Sequence, residues 1–388
     1  MKKKIVILGS TGSIGKYTID LIKKDQKSFK VELLSTNENI NLIFKQAKLL
    51  KVKNVIINDY NSFIKAKRKY KKFKVNIYND FSVIDKLFKK KEIFYTMISI
   101  IGIDGLDPTI RLIKHSKNIA VTNKESLICG WNLINKELKK YKSNFFPVDS
   151  EHFSIFSLIK NENSKTIEKI YITASGGPFL KNSYSSLLKV KLKDALNHPN
   201  WKMGKKISID SSTMMNKLFE VIEAKKIFNT TYDKIKILIH PNSYVHALVK
   251  FNNGITKILL HEPDMKIPIH NTLYNFENLP IKNKPINFDI LNNLNFQSVD
   301  LKKFPLIKIL NILPKKNSLF ETALISINDY FVSKFINKKI SYKKLIDLIN
   351  YNAHNRIFLN LRKKTPKNIR DIYKIRNYVY SKLNNLGI

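Results

Sequence analysis

Apolar residues fall along this chain in two different rhythms. Short unbroken runs, Ile5 to Leu8, Val31 to Leu34, Val55 to Ile57, Tyr95 to Ile101 and Ile119 to Thr122, have the length of buried parallel strands. Amphipathic stretches separate them, the first with Ile14, Thr18, Leu21 and Ile22 at helical spacing. Such strand–helix–strand alternation closes right-handed and predicts a Rossmann-like, doubly wound parallel sheet. Beyond residue 150 the rhythm changes. Ile167 to Ala174, Ile235 to Ile239, Tyr244 to Phe251 and Ile255 to His261 read as strands, the last two joined by the hairpin signal Asn252-Asn253-Gly254. One helix is predicted between them, from about Ser212 to Phe228. Asn278, Pro280, Asn283 and Pro285 break regular structure in a connecting stretch, and Leu319 to Phe335, Tyr342 to Asn350 and Ile369 to Leu386 return to helical spacing. The expected fold class is α/β, with a doubly wound N-terminal domain over 1–149, an α+β domain over 150–275, a linker over 276–304 and a C-terminal helical domain over 305–388.

Composition narrows the functional classes. The 388 residues, 43% of them hydrophobic, can build more than one core, and they exclude a disordered chain. A lone cysteine, Cys129, excludes an internal disulfide framework and a cysteine-built zinc site, and fits a reducing compartment. The basic start Lys2-Lys3-Lys4 precedes only four apolar residues before Gly9, too few for a secretory signal, and no run approaches the roughly 18 apolar residues of a membrane span. A cytoplasmic protein with no membrane partner is expected. The net charge of +40 raises the possibility of a nucleic-acid binder. Abundant Lys, Asn, Ile, Tyr and Phe beside scarce glycine is better explained by AT-rich coding DNA, so no nucleic-acid partner is expected, while anionic substrates are favoured by long-range steering. With only eleven glycines in the chain, those that remain should mark backbone positions that tolerate no side chain.

Several of them open candidate sites. Gly9-Ser10-Thr11-Gly12-Ser13-Ile14-Gly15 follows a strand and begins a helix, the context in which a glycine pattern holds a dinucleotide pyrophosphate on free helix amides. The second strand ends in Ser35-Thr36-Asn37-Glu38-Asn39, without the aspartate that takes the ribose 2′-hydroxyl of NAD, which leans toward NADP. Asp149 and Glu151 leave a strand end two residues apart, able to point the same way. In the predicted helix after Asp210, Asn216 and Glu220 share a face, Lys217 lies beside them, and Ser211 and Ser212 stand at the expected N-cap. A phosphate at Ser211 and a cation at Glu220 would bracket one small molecule, because nine residues of helix rise about 13 Å. Oxygen-only ligands select a hard ion such as Mg²⁺ or Mn²⁺. Ser175-Gly176-Gly177 suits a phosphate cradle, and Trp201, in a loop between Pro199 and Gly204, reads either as a lid or as a docked core residue.

Taken together, these segments resemble the 1-deoxy-D-xylulose 5-phosphate reductoisomerases, from residue 4 to about 275 with a fainter helical tail. The resemblance also rests on Thr122-Asn123-Lys124-Glu125-Ser126-Leu127, Pro147 to His152, His198 to Gly204, Asp210 to Lys217 and Glu262-Pro263-Asp264-Met265. It implies an NADPH- and divalent-metal-dependent enzyme that rearranges and reduces a phosphosugar on the way to isoprenoid precursors, acting as a homodimer. The first domain would bind NADPH and the second would carry catalysis and metal. Position by position it implies metal ligation by Asp149, Glu151 and Glu220, and catalysis by these with Lys124. Substrate would be held by Lys124, Ser150, Glu151, Ser175, His198, Trp201, Ser211, Asn216, Lys217 and Glu220. NADPH would be held by Gly9, Ser10, Thr11, Gly12, Ser13, Ile14, Asn37, Asn39, Asn123, Lys124, Glu125, Met203 and Gly204. His246 matches a family active-site histidine.

The chain departs from the family pattern at Leu218-Phe219, where glycine and a small residue are usual, and at His261, where glycine is common. It also has Asn37, expected to adopt positive φ in place of a glycine, and Glu38, unfavourable beside a 2′-phosphate. Ile327-Asn328-Asp329 replaces Ala-Asn-Glu in the tail. A rival reading is another two-domain NAD(P) dehydrogenase acting on a phosphorylated substrate, such as an aspartate-semialdehyde dehydrogenase. That chemistry requires a nucleophilic cysteine, and Cys129 is the sole candidate.

Overall fold

The five apolar runs of the first half all become strands, and the strand Asn76–Tyr78 joins them without such a run. In a computed structural model, which describes residues 1–183 and 185–385, seven strands form one sheet: β1 (Lys3–Leu8), β2 (Phe29–Thr36), β3 (Asn54–Ile57), β4 (Asn76–Tyr78), β5 (Ile93–Ile98), β6 (Ser116–Val121) and β7 (Asn144–Pro147). All neighbours are parallel, in the order β4-β3-β2-β1-β5-β6-β7. Ile5, Val6, Ile7 and Leu8 are fully buried, as a strand covered on both faces requires. The order reverses direction between β1 and β5, which opens a crevice at the carboxyl ends of these two strands, where ligands of doubly wound sheets bind.

The remaining strands, β8 (Ile167–Ala174), β9 (Ile235–Ile239), β10 (Val245–Phe251) and β11 (Thr256–Leu260), form a second, mixed sheet in the order β11-β10-β8-β9. β10 is antiparallel to β8 and β11, and β8 is parallel to β9. Ile170, Ile172, Val221, Ala224, Ala247 and Val249 share a core, which seats the helix Met215–Ile227 on this sheet.

Two compact units emerge. One comprises Met1–Leu127, Asn132–Phe153 and Asp264–Lys282; the other comprises Ile128–Trp131, Ser154–Pro263 and Asn283–Ile388. The segment 264–282 returns to the parallel-sheet unit, where Thr272 meets the buried Tyr95 hydroxyl at 2.9 Å and the Tyr274 hydroxyl donates to Asp25 at 2.8 Å. In the second unit the helices Leu319–Ile336, Tyr342–Ala353 and Ile369–Asn384 follow the predicted spacing. Residue 386, where the last of these was expected to end, lies outside the described residues. The helix predicted from about Ser212 to Phe228 is Met215–Ile227; Ser212 instead ends a separate helix, Lys205–Ser212, and Met214 between the two takes a left-handed φ of 61°.

Candidate active site

At the carboxyl end of β1 the chain turns through Gly9, with φ 77°, into the helix Ser13–Lys24, whose N-cap is Gly12. A Cβ on Gly9 would stand 2.5 Å from the Ser99 carbonyl oxygen, and one on Gly15 would stand 2.5 Å from Ser10 Cα, so the turn admits only glycine at both points. Gly12 and Ser13 are exposed and Thr11 and Ile14 half-exposed, so the first amides of the helix are open to an anion. This cradle fits a dinucleotide pyrophosphate. Ser10, expected among the cofactor ligands, is fully buried, and its hydroxyl donates to Gln46 Oε1 at 2.7 Å, so its side chain serves the fold. Asn37, Glu38 and Asn39 are exposed at the end of β2, and Asn37 Nδ2 donates to Glu38 Oε1 at 3.0 Å. Asn37 is not among the described residues with positive φ, contrary to expectation, and Asn39 caps the next helix by accepting from the Leu42 amide at 3.1 Å.

Asn123 is the N-cap of the helix Lys124–Tyr141. Its carboxamide donates to the carbonyls of Ile100 and Gly102, tying that helix start to the loop after β5. Lys124 and Glu125 follow it, both buried. Lys124 Nζ lies 2.9 Å from Asp149 Oδ2, and His152 Nδ1 lies 3.5 Å from the same oxygen. Burial works against ionisation of Asp149, but the charge of Lys124, with His152, outweighs it and holds the carboxyl well below the usual carboxylate range. Asp149 and Glu151 do not leave a strand as the alternation argument supposed. β7 ends at Pro147, and Ser150 and Glu151 already lie in the first turn of the helix Ser150–Ile159. The helix dipole favours both carboxylates there, and Ser150 Oγ donates to Glu151 Oε2 at 2.6 Å.

The second unit gathers the expected phosphate ligands. His198 Nδ1 accepts from the Asn200 and Trp201 amides at 3.2 and 3.0 Å, so the ring proton is on Nε2, which faces Ser175 Oγ at 3.0 Å. Ser175 Oγ also accepts from the Gly177 amide at 3.1 Å. With both lone pairs engaged, its own proton is left to donate. Gly177, with φ 68°, brings this loop against the Ser211 backbone: a Cβ there would be 2.9 Å from the Ser211 carbonyl oxygen. Ser211 and Ser212 end the helix Lys205–Ser212, and Met214 occupies the N-cap position expected of the serines. Glu220 is buried and held by Asn216 Nδ2 at 2.6 Å and Lys217 Nζ at 2.5 Å, with Leu218 and Phe219 fully buried behind it. Trp201 is half-buried and meets the His246 ring edge-to-face at 6.1 Å; Met203 is half-exposed in the same loop and Gly204 is exposed.

A supporting network escaped the sequence reading. Asp210 accepts from Asn328 Nδ2 at 2.8 Å, and Lys206 bridges Asp210 at 3.3 Å and Asp329 at 2.9 Å. The Tyr342 hydroxyl donates to the Ser212 carbonyl at 2.7 Å. The i, i+4 spacing of Lys206 and Asp210 was legible; partners more than a hundred residues away were not.

Cys129 cannot be a nucleophile as it stands. It is 2% exposed, and burial pushes its thiol up to about 12 against a Thr322 hydrogen bond that lowers it.

A family model described as 1-deoxy-D-xylulose 5-phosphate reductoisomerase matches residues 5–130, and models of the C-terminal domains of that enzyme match 145–228 and 260–381. The 1-deoxy-D-xylulose 5-phosphate reductoisomerase of Pelagibacter ubique is 51% identical over 387 residues, covering 100% of both chains. A solved reductoisomerase from Zymomonas mobilis in complex with NADPH is 29% identical, with a TM-score of 0.86 over 98% of this chain and 97% of its own. A second solved reductoisomerase, in complex with NADPH, fosmidomycin and magnesium, is 28% identical, with a TM-score of 0.90 over 99% of each chain.

Proposed function

The chain belongs to the 1-deoxy-D-xylulose 5-phosphate reductoisomerase family, and from that premise we propose how its own residues carry the reaction. The protein is an NADP-dependent oxidoreductase that rearranges and reduces 1-deoxy-D-xylulose 5-phosphate to 2-C-methyl-D-erythritol 4-phosphate, with NADPH and Mg²⁺ or Mn²⁺ as cofactors. Asp149, Glu151 and Glu220 are the residues that hold the divalent ion. The donor set fits, since all ligands are carboxylate oxygens and Lys124 keeps Asp149 ionised. When bound, the ion polarises the ketone and acidifies the neighbouring hydroxyl, while reduced nicotinamide supplies a hydride.

The rest is done by the chain's own groups. Thr11, Gly12, Ser13 and Ile14 receive the pyrophosphate on helix amides, and Asn123, Glu125, Asn37, Asn39, Met203 and Gly204 complete the NADPH site. Ser175 donates its hydroxyl proton to a phosphate oxygen, with His198, Ser211, Asn216 and Lys217 beside it. Ser150 and Lys124 reach the sugar oxygens. Trp201 closes over the substrate and excludes water. Gripping the phosphate supplies remote binding energy that aligns the reacting carbons. In this reading residues 1–149 bind NADPH, 150–275 carry catalysis and metal, 276–304 connect and 305–388 support the site. The working protein is a cytoplasmic homodimer with neither a nucleic-acid nor a membrane partner.

The observation that carries the site assignment is that Ser175 meets His198 and Gly177 meets Ser211, residues distant in sequence, while Asn216 and the buried Lys217 both hold the buried Glu220. Its test is NADPH absorbance with the deoxyxylulose phosphate and Mn²⁺ or Mg²⁺. Wild type is expected to consume NADPH, and Glu151→Gln to lose on the order of a hundredfold or more in kcat. An unimpaired mutant rejects the mechanism.

A further inference from the structure

The imidazole of His261 has a defined neighbour. The His261 and His246 rings are stacked, with centroids 3.8 Å apart and planes 23° from parallel, and both residues are buried. His246 Nε2 lies 3.1 Å from the His261 carbonyl oxygen. A carbonyl only accepts, so this nitrogen carries a proton and donates it. His261 Nδ1 donates in the same way to the Glu262 carbonyl at 2.6 Å, and the His261 amide donates to the Tyr244 carbonyl at 3.0 Å, which fixes the ring and the backbone of residue 261 together. His246 is therefore held at its edge by a backbone oxygen and on its face by a ring. Glycine at 261 would supply only the first.

The ring so held is the one that meets Trp201. The loop that carries Trp201 is pinned at its stem, where the Asn200 and Trp201 amides donate to His198 and Asn200 Nδ2 donates to the Pro241 carbonyl at 2.6 Å and Ser243 Oγ at 2.8 Å. The indole itself rests on His246. We propose that His261 is a positioning residue for the Trp201 lid: by stacking on His246 it fixes the platform on which the indole docks and so partly pre-orders the lid before substrate arrives. This rests on the reading of Trp201 as a lid. A pre-ordered lid loses less freedom when it closes, so the benefit falls on substrate binding.

The experiment uses the full-length protein in a Trp131→Phe background, where Trp201 is the one remaining indole of the chain's two tryptophans. Acrylamide quenching without ligands and steady-state kinetics are compared for His261, His261→Gly and His261→Phe. His261→Gly, which removes the ring and keeps the backbone carbonyl, is expected to raise the quenching constant of Trp201 about twofold. It is also expected to raise the substrate KM by about 3- to 10-fold, the factor an aromatic contact commands, with kcat within about twofold. His261→Phe, which keeps a ring face but no polar atom, is expected to restore both values to within about twofold of His261. Unchanged quenching in His261→Gly, a loss confined to kcat, or no rescue by phenylalanine overturns the proposal. The quenching readout needs no turnover, so a wild-type protein that fails to oxidise NADPH defeats the enzymatic reading and leaves the ring-stack result to be judged separately.

Discussion

Cys129 shows how burial decides chemistry at the scale of one residue. Its position after an apolar run was visible in the sequence, but whether the thiol was a reactive group or core filling depended on what surrounds it. Burial pushes the thiol up to about 12, so the thiolate is scarce at neutral pH. A disulfide exchange reagent at pH 8 should therefore label native protein at least about a hundredfold more slowly than urea-unfolded protein. Turnover of Cys129→Ser should stay within about twofold of wild type; rapid native labelling with loss of turnover would restore the nucleophile reading. The opposite case is Asp149, where a neighbouring charge outweighs burial. The sequence showed the two members of that pair, Lys124 and Asp149, but not that 25 residues apart they come within 2.9 Å. The family resemblance implies Ser10 as a cofactor ligand. Gln46, on a separate helix, claims its hydroxyl.

At the scale of elements, the short apolar runs located five strands of the parallel sheet, while Asn76–Tyr78, which has no such run, was not predicted. Helix ends were read less well. The stretch from Ser212 to Phe228 has one continuous helical pattern, yet the chain breaks at Met214. The Ser211 backbone, in the helix before that break, lies against the Gly177 turn, a contact no local spacing encodes. Scarce glycine was a good guide where space is absent and a poor one elsewhere. Gly177→Ala should destabilise the protein by about 2 kcal/mol, because φ is 68° and the added methyl meets Ser211. It should also raise the substrate KM, since the cradle must shift. Gly204→Ala should move the thermal midpoint by no more than about 2 °C, since Gly204 has φ −67° and nothing within 4 Å of the added Cβ. Thermal melts of the two variants separate the cases, and equal effects would contradict this account.

For the molecule as a whole, a net charge of +40 and a pI near 9.9 describe solubility and steering, not fold. No described helix is long and apolar enough to cross a membrane. The proposed homodimer should sediment at about twice 45.2 kDa in moderate salt, where self-repulsion is screened; a monomer at all accessible concentrations would refute it. Period, glycine placement and motif order were enough to determine the parallel sheet and the family, and to propose the dinucleotide turn and the site residues. Those are local properties, readable because backbone geometry and chemistry constrain each short window by itself. Only the tertiary structure decided which serine donates, which lysine holds a carboxylate ionised, and that Asn328 and Asp329 brace the helix that ends at Ser212. Such pairings depend on distances closed by the packing of remote segments, and no window of sequence contains them.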